Sequence, residues 1–349
     1  MDTPRTDPAD LLRCRDSIYA GDLVVAATAW LGFFDWLSDS PARASDVCDS
    51  LGITERPADV MLTLLCAMKL IERRGDRFQL TDLSREFLTT NSRWNLGPYF
   101  ATMRERPTCK DMLAVLRTGK PASWGSKENG REWAKAMERE SVAQGFTAAM
   151  DGRGAYLAPE LASRIDFGGY SFLLDIAGGS GVYSCAIAAR NEFLKAAVLE
   201  KAPVDAIARK SIAEQGMASR VSAVAGDMFR EIPPGYDIHL LSNCLHDWGE
   251  SAVVRILENC FASLPAGGMI VIHDAHVDEG KTGPLPVAEY SVLLMYSTEG
   301  KCYSVGEIRD MLAGAGFVDA TFIPTVAWRS AITAKKPHQV APVPCDGPP

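Results

Sequence analysis

The chain has no long hydrophobic run, no paired cysteines and no excess of positive charge, and each absence removes a class of function. No apolar stretch approaches the roughly 20 residues of a membrane helix, so no spanning segment is expected. The opening residues, MDTPRTDPADLLRCRD, lack the apolar centre of a secretory signal. Nine cysteines (Cys14, Cys48, Cys66, Cys109, Cys185, Cys244, Cys260, Cys302 and Cys345) are scattered, odd in number and never in C-x-x-C spacing. That argues against a disulfide framework or a zinc ribbon and for a reduced, cytoplasmic protein. Lys+Arg 36 against Asp+Glu 44 leaves a formal net charge of −8, so the overall field draws in neither nucleic acid nor an anionic membrane. What is present is ordinary: 349 residues, 47% hydrophobic and 23% charged, enough for two domains with separate cores.

Apolar residues at helical spacing, among them Leu11, Leu12, Ile18, Val24, Val25, Ala27, Trp30, Leu31, Phe34 and Leu37, predict two packed helices over 10–38. Segments 44–53, 55–71 and 73–81 read as helix, helix and hairpin, with Ser45 and Thr54 as caps, which is the order of a winged helix. The second of these helices is mostly apolar and has little basic charge to meet phosphates, so a second copy of the chain is the expected partner rather than DNA. Residues 1–104 then form a winged-helix dimerisation domain and 105–165 a helical connector roofing a pocket. Residues 166–336 form the α/β domain, and the proline-rich tail from Lys336 (337–349) trails free.

After residue 166 strands and helices alternate, with strands expected at 171–176, 196–200, 220–225, 236–242, 268–274, 318–323 and 329–335. Alternation of this kind makes a Rossmann-like, doubly wound, mostly parallel seven-stranded sheet whose ligands sit beyond the carboxyl ends of the strands. Asp175, Glu200, Asp227, His246 and Asp274 should therefore gather on one rim. The first turn, AGGSG, places Gly178, Gly179 and Gly181 where a ligand can touch the backbone, and Glu200 at the tip of the next strand can accept both hydroxyls of a ribose. Counting from Gly179, the third position of a dinucleotide fingerprint is Ser184, so S-adenosylmethionine fits better than a nicotinamide dinucleotide.

Asp227 in GDMF can accept from an adenine amino group while Met228 and Phe229 offer apolar faces to the ring. Asn243 and Trp248 border the same site, and His246 in LHDW is the expected general base, held in its tautomer by Asp274. His273 and His276 flank Asp274, but successive strand residues point to opposite faces, so no metal site is expected in HDAH. His239 alternates with Ile238 and Leu240 and reads as a satisfied core residue. The acceptor wall is expected from Trp124, Phe146, Met150, Met295, Tyr296 and Cys302, with Trp94, Phe100, Met103 and Tyr156 as further candidates.

The ordered set LDIAGGSG, Glu200, GDMF, LHDW, PAGGMIVIHD and GKCYSVGEIRDMLAGAGF resembles the small-molecule O-methyltransferases with an N-terminal winged-helix dimerisation domain, over nearly the whole chain. The plant caffeic acid, acetylserotonin and antibiotic-tailoring enzymes belong to that family. The resemblance implies Gly178, Glu200, Asp227 and Met228 as contacts of S-adenosylmethionine, or of its product S-adenosylhomocysteine. It also implies His246 as base, Asp274 as a steadying acid, and Phe146 and Met150 as helix residues touching both ligands. The family's second acid is replaced by Cys302 and a lysine four residues before the histidine by Ser242. Methylation of a small-molecule hydroxyl is the expected reaction. Carbon or nitrogen acceptors, and a cofactor-binding regulator without catalysis, stay open.

Overall fold

The computed structural model describes residues 4–122 and 135–338. The expected helix pair over 10–38 is instead four short pieces, Ala9–Asp16, Ala20–Val25, a π-helical turn Ala26–Trp30 and Phe33–Ser38. The Leu31 N–H reaches back to the Ala26 carbonyl, and Gly32 at φ +59° restarts the chain in a new direction. Helices Ala44–Leu51 and Glu55–Ala67 lead into the hairpin β2 (Ile71–Arg74) and β3 (Arg77–Leu80), and β1 (Ala42–Arg43) pairs with β3. Ser45 caps nothing: Arg43 takes the N-cap position and its N–H donates to Asp46 at 2.8 Å. Thr54 does occupy an N-cap, but its hydroxyl turns to the Leu116 carbonyl at 3.4 Å.

The core of this unit includes Phe33, Phe34, Leu37, Met61, Leu64, Leu65, Met112 and Leu116. It also takes in Ala288, Val292, Met295 and Tyr296 from helix Leu285–Ser297, far along the chain. That helix is apolar nearly all round, so it buries two faces. One face goes to the N-terminal core; the other, with Val287, Tyr290 and Leu294, packs on Ala275, Val277 and Cys302 beside the sheet.

The sheet runs β6-β5-β4-β7-β8-β10-β9, with β4 (Phe172–Ile176), β5 (Lys195–Glu200), β6 (Val221–Ala225), β7 (Ile238–Ser242) and β8 (Met269–Asp274) parallel. β10 (Ser330–Lys335) is antiparallel to both β8 and β9 (Val318–Pro324). The chain starts in the middle at β4, winds outward to β5 and β6, then crosses to β7, which leaves a crevice beyond the ends of β4 and β7. The long helix Glu140–Arg164 contributes Leu157, Ala158, Leu161 and Ala162 to the sheet core, so only its first half, bearing Phe146 and Met150, is left to border the crevice. Lys336 does not trail free: its N–H bonds the Gly268 carbonyl and its Nζ the carbonyls of Phe261 and Leu264.

Candidate active site

β7 ends at Ser242, and the next residue, Asn243, adopts φ +50° while its N–H bonds the His273 carbonyl. The chain then makes a short 3-10 turn, Leu245–Asp247, that swings His246 over the end of β8. His246 Nδ1–H donates to Asp274 Oδ1 at 2.5 Å, and both side chains are buried. Burial pushes the Asp274 carboxyl up, but the adjoining His246 outweighs it and the group lies well below the usual carboxylate range. The carboxylate fixes the ring's tautomer, leaving Nε2 as the working nitrogen.

Nε2 faces Tyr290, whose oxygen is 3.4 Å away, with Asp247 Oδ1 at 3.7 Å. Burial raises Asp247 and pushes the Tyr290 phenol up to about 12. Arg153 donates to the Tyr290 oxygen at 2.9 Å and the Arg329 guanidinium lies 4.6 Å over the Tyr290 ring. Tyr290 and Arg153 were not singled out from sequence. Arg153 had a signal, because positions 146, 150 and 153 share one helix face; Tyr290 sits in an apolar helix and had none.

The loop behind His246 is set from the N-terminal unit. Arg56 donates to the carbonyls of Gly300 at 2.6 Å and Gly119 at 2.7 Å, and more weakly to Met295 and Thr298. Gly300 presses so closely on the His246 backbone that a Cβ there would stand 2.1 Å from the His246 carbonyl oxygen. Next to it, Cys302 is buried, its thiol pushed up by burial and by Asp274, so it offers the histidine no second carboxylate.

On the other side of the crevice, Gly179 and Gly181 adopt φ +60° and +84°. Glu200 accepts the N–H groups of Gly179 at 2.9 Å and Lys201 at 3.2 Å, and burial raises it to about 7. Asp175 belongs beneath the turn rather than on the rim: it is fully buried and accepts the Ser184 hydroxyl at 2.8 Å. Burial raises Asp175 to about 7, and a Cβ on Gly178 would come within 2.4 Å of it. Asp151, also unforeseen, reaches over from the long helix to the Ser180 hydroxyl.

Asp227 pairs with Lys201 at 2.9 Å and accepts the Phe229 N–H; against its partial burial these hold it below the usual range. Met228 and Phe229 are half-buried, and the Phe229 and Trp248 rings meet edge to face at 4.7 Å. Asn243 donates to Tyr183 at 3.0 Å, while its buried Oδ1 has no partner. A glycine turn whose backbone a ligand can approach, an acid at the strand tip, an orphaned acceptor and apolar rings fit a nucleoside with an amino-acid end, which is S-adenosylmethionine.

Several expected acceptor residues lie elsewhere. Met295 is fully buried in the N-terminal core, and Tyr296 stacks on Tyr19 at 4.1 Å and donates to Asp111. Both occupy the helix face opposite Tyr290. Trp124 is outside the described residues. Trp94 and Met103 are exposed, Phe100 packs on the N-terminal core, and Tyr156 bonds Asp7. Phe146 and Met150 are half-buried at the crevice.

His273 turns away from Asp274 to Ser242 and Thr325, both at 3.1 Å, and burial lowers it to about 3. His276 bonds Ser330, and burial lowers it to about 4. His239, expected to be satisfied, has no partner for either ring nitrogen and is lowered by burial to about 3. Among the described residues no three His, Cys, Asp or Glu side chains gather as a metal site.

Residues 110–318 match the O-methyltransferase domain family. The chain belongs to that family. A solved O-methyltransferase family 2 protein from Planctomyces limnophilus, in complex with apigenin, superposes with TM-score 0.85 and 32% identity, covering 96% of this chain and 98% of the other. The 3-hydroxy-5-methyl-1-naphthoate 3-O-methyltransferase of Streptomyces sahachiroi is 31% identical over 290 residues, 82% of each chain. Human N-acetylserotonin methyltransferase in complex with S-adenosylmethionine shares the fold at TM-score 0.58 and 22% identity. The chain is an S-adenosylmethionine-dependent O-methyltransferase. No helix among the described residues is long and apolar enough to cross a membrane.

Proposed function

We propose that this enzyme methylates a hydroxyl of an aromatic or polyketide-like small molecule in the cytoplasm, with His246 as general base and Asp274 as its orienting acid. The observation that carries the reading is the 2.5 Å bond between them, made at the strand ends and across the crevice from the glycine turn.

Gly178, Gly179, Gly181, Glu200, Asp227, Met228, Phe229, Asn243 and Trp248 would hold the cofactor, with Met150 at the boundary between the two ligands. The cofactor supplies an already activated methyl group when bound. The chain's own task is then to align the acceptor and remove its proton. Nδ1 of His246 is committed to Asp274, so Nε2 takes the proton from the acceptor hydroxyl, and the resulting imidazolium is stabilised by the Asp274 carboxylate. Partial enclosure by Phe146, Met150, Tyr290 and Cys302 would keep water from competing as acceptor. One acid on the base suffices if the acceptor hydroxyl is itself phenol-like, because less of the barrier then lies in proton removal.

His246→Ala should lower kcat for a phenolic acceptor by about 10³-fold. Turnover within threefold of the parent enzyme would remove His246 from the mechanism. The partner is a second copy of the chain. Leu83, Trp94, Leu96, Tyr99 and Met103 put apolar surface on the outside of the N-terminal unit, which pairing would cover. Sedimentation as a single 37.8 kDa species would overturn the pairing.

A further inference from the structure

We propose that Arg153 selects an acceptor bearing a carboxylate next to the methylated hydroxyl, a hydroxylated aromatic acid. This rests on the methyltransferase reading above and names its substrate class.

Arg153 stands on the long helix one turn beyond Met150, half-buried, on the face that carries Phe146. Its guanidinium has five N–H donors, yet among the described residues its hydrogen-bond partners are the Tyr290 oxygen at 2.9 Å and the Met150 sulfur at 3.5 Å, a neutral phenol and a thioether. Among the described residues no carboxylate lies within ion-pairing distance of it. Of the neighbouring acids, Asp151 is committed to Ser180, Asp16 to Arg15 and Arg329, and Asp274 to His246; Asp247 feels the Arg153 charge but makes no ion pair with it, lying 3.7 Å from His246 Nε2.

The other interior arginines are served differently. Arg329 has the Asp16 carboxylate and the Ala327 carbonyl, and Arg56 has four backbone carbonyls. A guanidinium withdrawn from water and given only neutral partners is costly unless an anion completes it.

The geometry says where that anion belongs. One oxygen, that of Tyr290, lies 2.9 Å from Arg153 and 3.4 Å from His246 Nε2, so base and guanidinium face the same small volume. Tyr290 is buried and fills that position, so an acceptor phenol held between the two takes its place as the Tyr290 side chain turns aside. A hydroxyl placed on Nε2 brings a carboxylate on the adjacent ring carbon to Arg153, whose planar fork matches a carboxylate by two parallel hydrogen bonds. A carboxylate on the far side of a fused ring system would not reach. Binding the acid also places the hydroxyl, so Arg153 is a positioning residue as well as a filter.

The test is titration of the S-adenosylhomocysteine-loaded enzyme with a hydroxynaphthoate carrying hydroxyl and carboxylate on adjacent carbons, beside its methyl ester. The acid should bind at least about 30-fold more tightly than the ester, Arg153→Met should abolish that advantage, and Arg153→Lys should keep part of it. Equal affinity of acid and ester for the parent enzyme overturns the proposal without any variant having to fold. So does an advantage that survives in Arg153→Met. If S-adenosylhomocysteine itself fails to bind, the methyltransferase reading falls and takes this one with it. A loaded enzyme that is indifferent to the carboxylate removes only the substrate class.

Discussion

The two walls of the crevice are built by different means. The cofactor wall is made of strand ends and the turns that follow them: the glycine turn, Glu200, the Asp227 segment and Asn243 each leave the sheet at its carboxyl edge. The acceptor wall is made of helix faces, from Glu140–Arg164 and Leu285–Ser297, together with the loop pinned by Arg56. In the proposed mechanism His246 stands on the first wall and works on the second. A strand-end wall is set by local chain geometry and is readable from consecutive residues. A helix-face wall depends on which way each helix is rolled, and that is decided by distant packing.

The largest effect is expected at Asp274. Asp274→Asn keeps the shape of the cofactor wall but removes the charge that orients and stabilises His246, so kcat should fall by about 10²-fold or more while cofactor affinity stays within a few-fold. A parallel loss of affinity would mean that the walls are not separable at this residue. The next largest effect is expected at Gly300, where an added Cβ meets the backbone of His246 and Trp248 rather than a side chain that could turn aside. Gly300→Ala should lower kcat about tenfold and reduce the melting temperature, since either the loop or the base must shift. An unchanged rate would show that this loop does not set the base.

A smaller effect is confined to the cofactor wall. Burial holds Glu200 and Asp175 protonated up to about 7, whereas the unfolded chain releases those protons near pH 4. Between those limits the folded chain binds more protons, so these groups contribute stability at low pH that is lost as pH rises through 7. Glu200→Gln removes one such term. It should raise the melting temperature by about 2 °C at pH 8 relative to its effect at pH 5, even though it weakens the site. Identical shifts at both pH values would argue that Glu200 ionises freely in the folded chain.

The same division accounts for what could be read in advance. The strand positions, the glycine turn and the pairing of His246 with Asp274 all follow from alternation and from which residue ends each strand, properties that a few consecutive residues carry. Met295 and Tyr296 are expected in the acceptor wall, but their spacing does not reveal which way their helix is rolled. The helix that bears them buries two faces, and they fall on the face that joins Phe33, Met61 and Leu65. Tyr290, on the other face, is the residue that reaches the base.

Its position at the end of a strand puts Asp175 on the expected rim, but the turn folds back over it and makes it a support. The break of the first helices at Ala26–Trp30 had only Gly32 as its signal, which marks where a helix can restart and not that the preceding turn widens. Arg56, whose partners lie up to 244 residues away, had no local signal at all.

His246 is assigned to the reaction and not to the cofactor, and the decisive experiment titrates S-adenosylhomocysteine into His246→Ala, with Glu200→Ala alongside. An affinity within about threefold of the parent is expected for His246→Ala and a loss of about 30-fold or more for Glu200→Ala. If His246→Ala loses the ligand as completely as Glu200→Ala does, the histidine belongs to the cofactor wall and its assignment as base is contradicted.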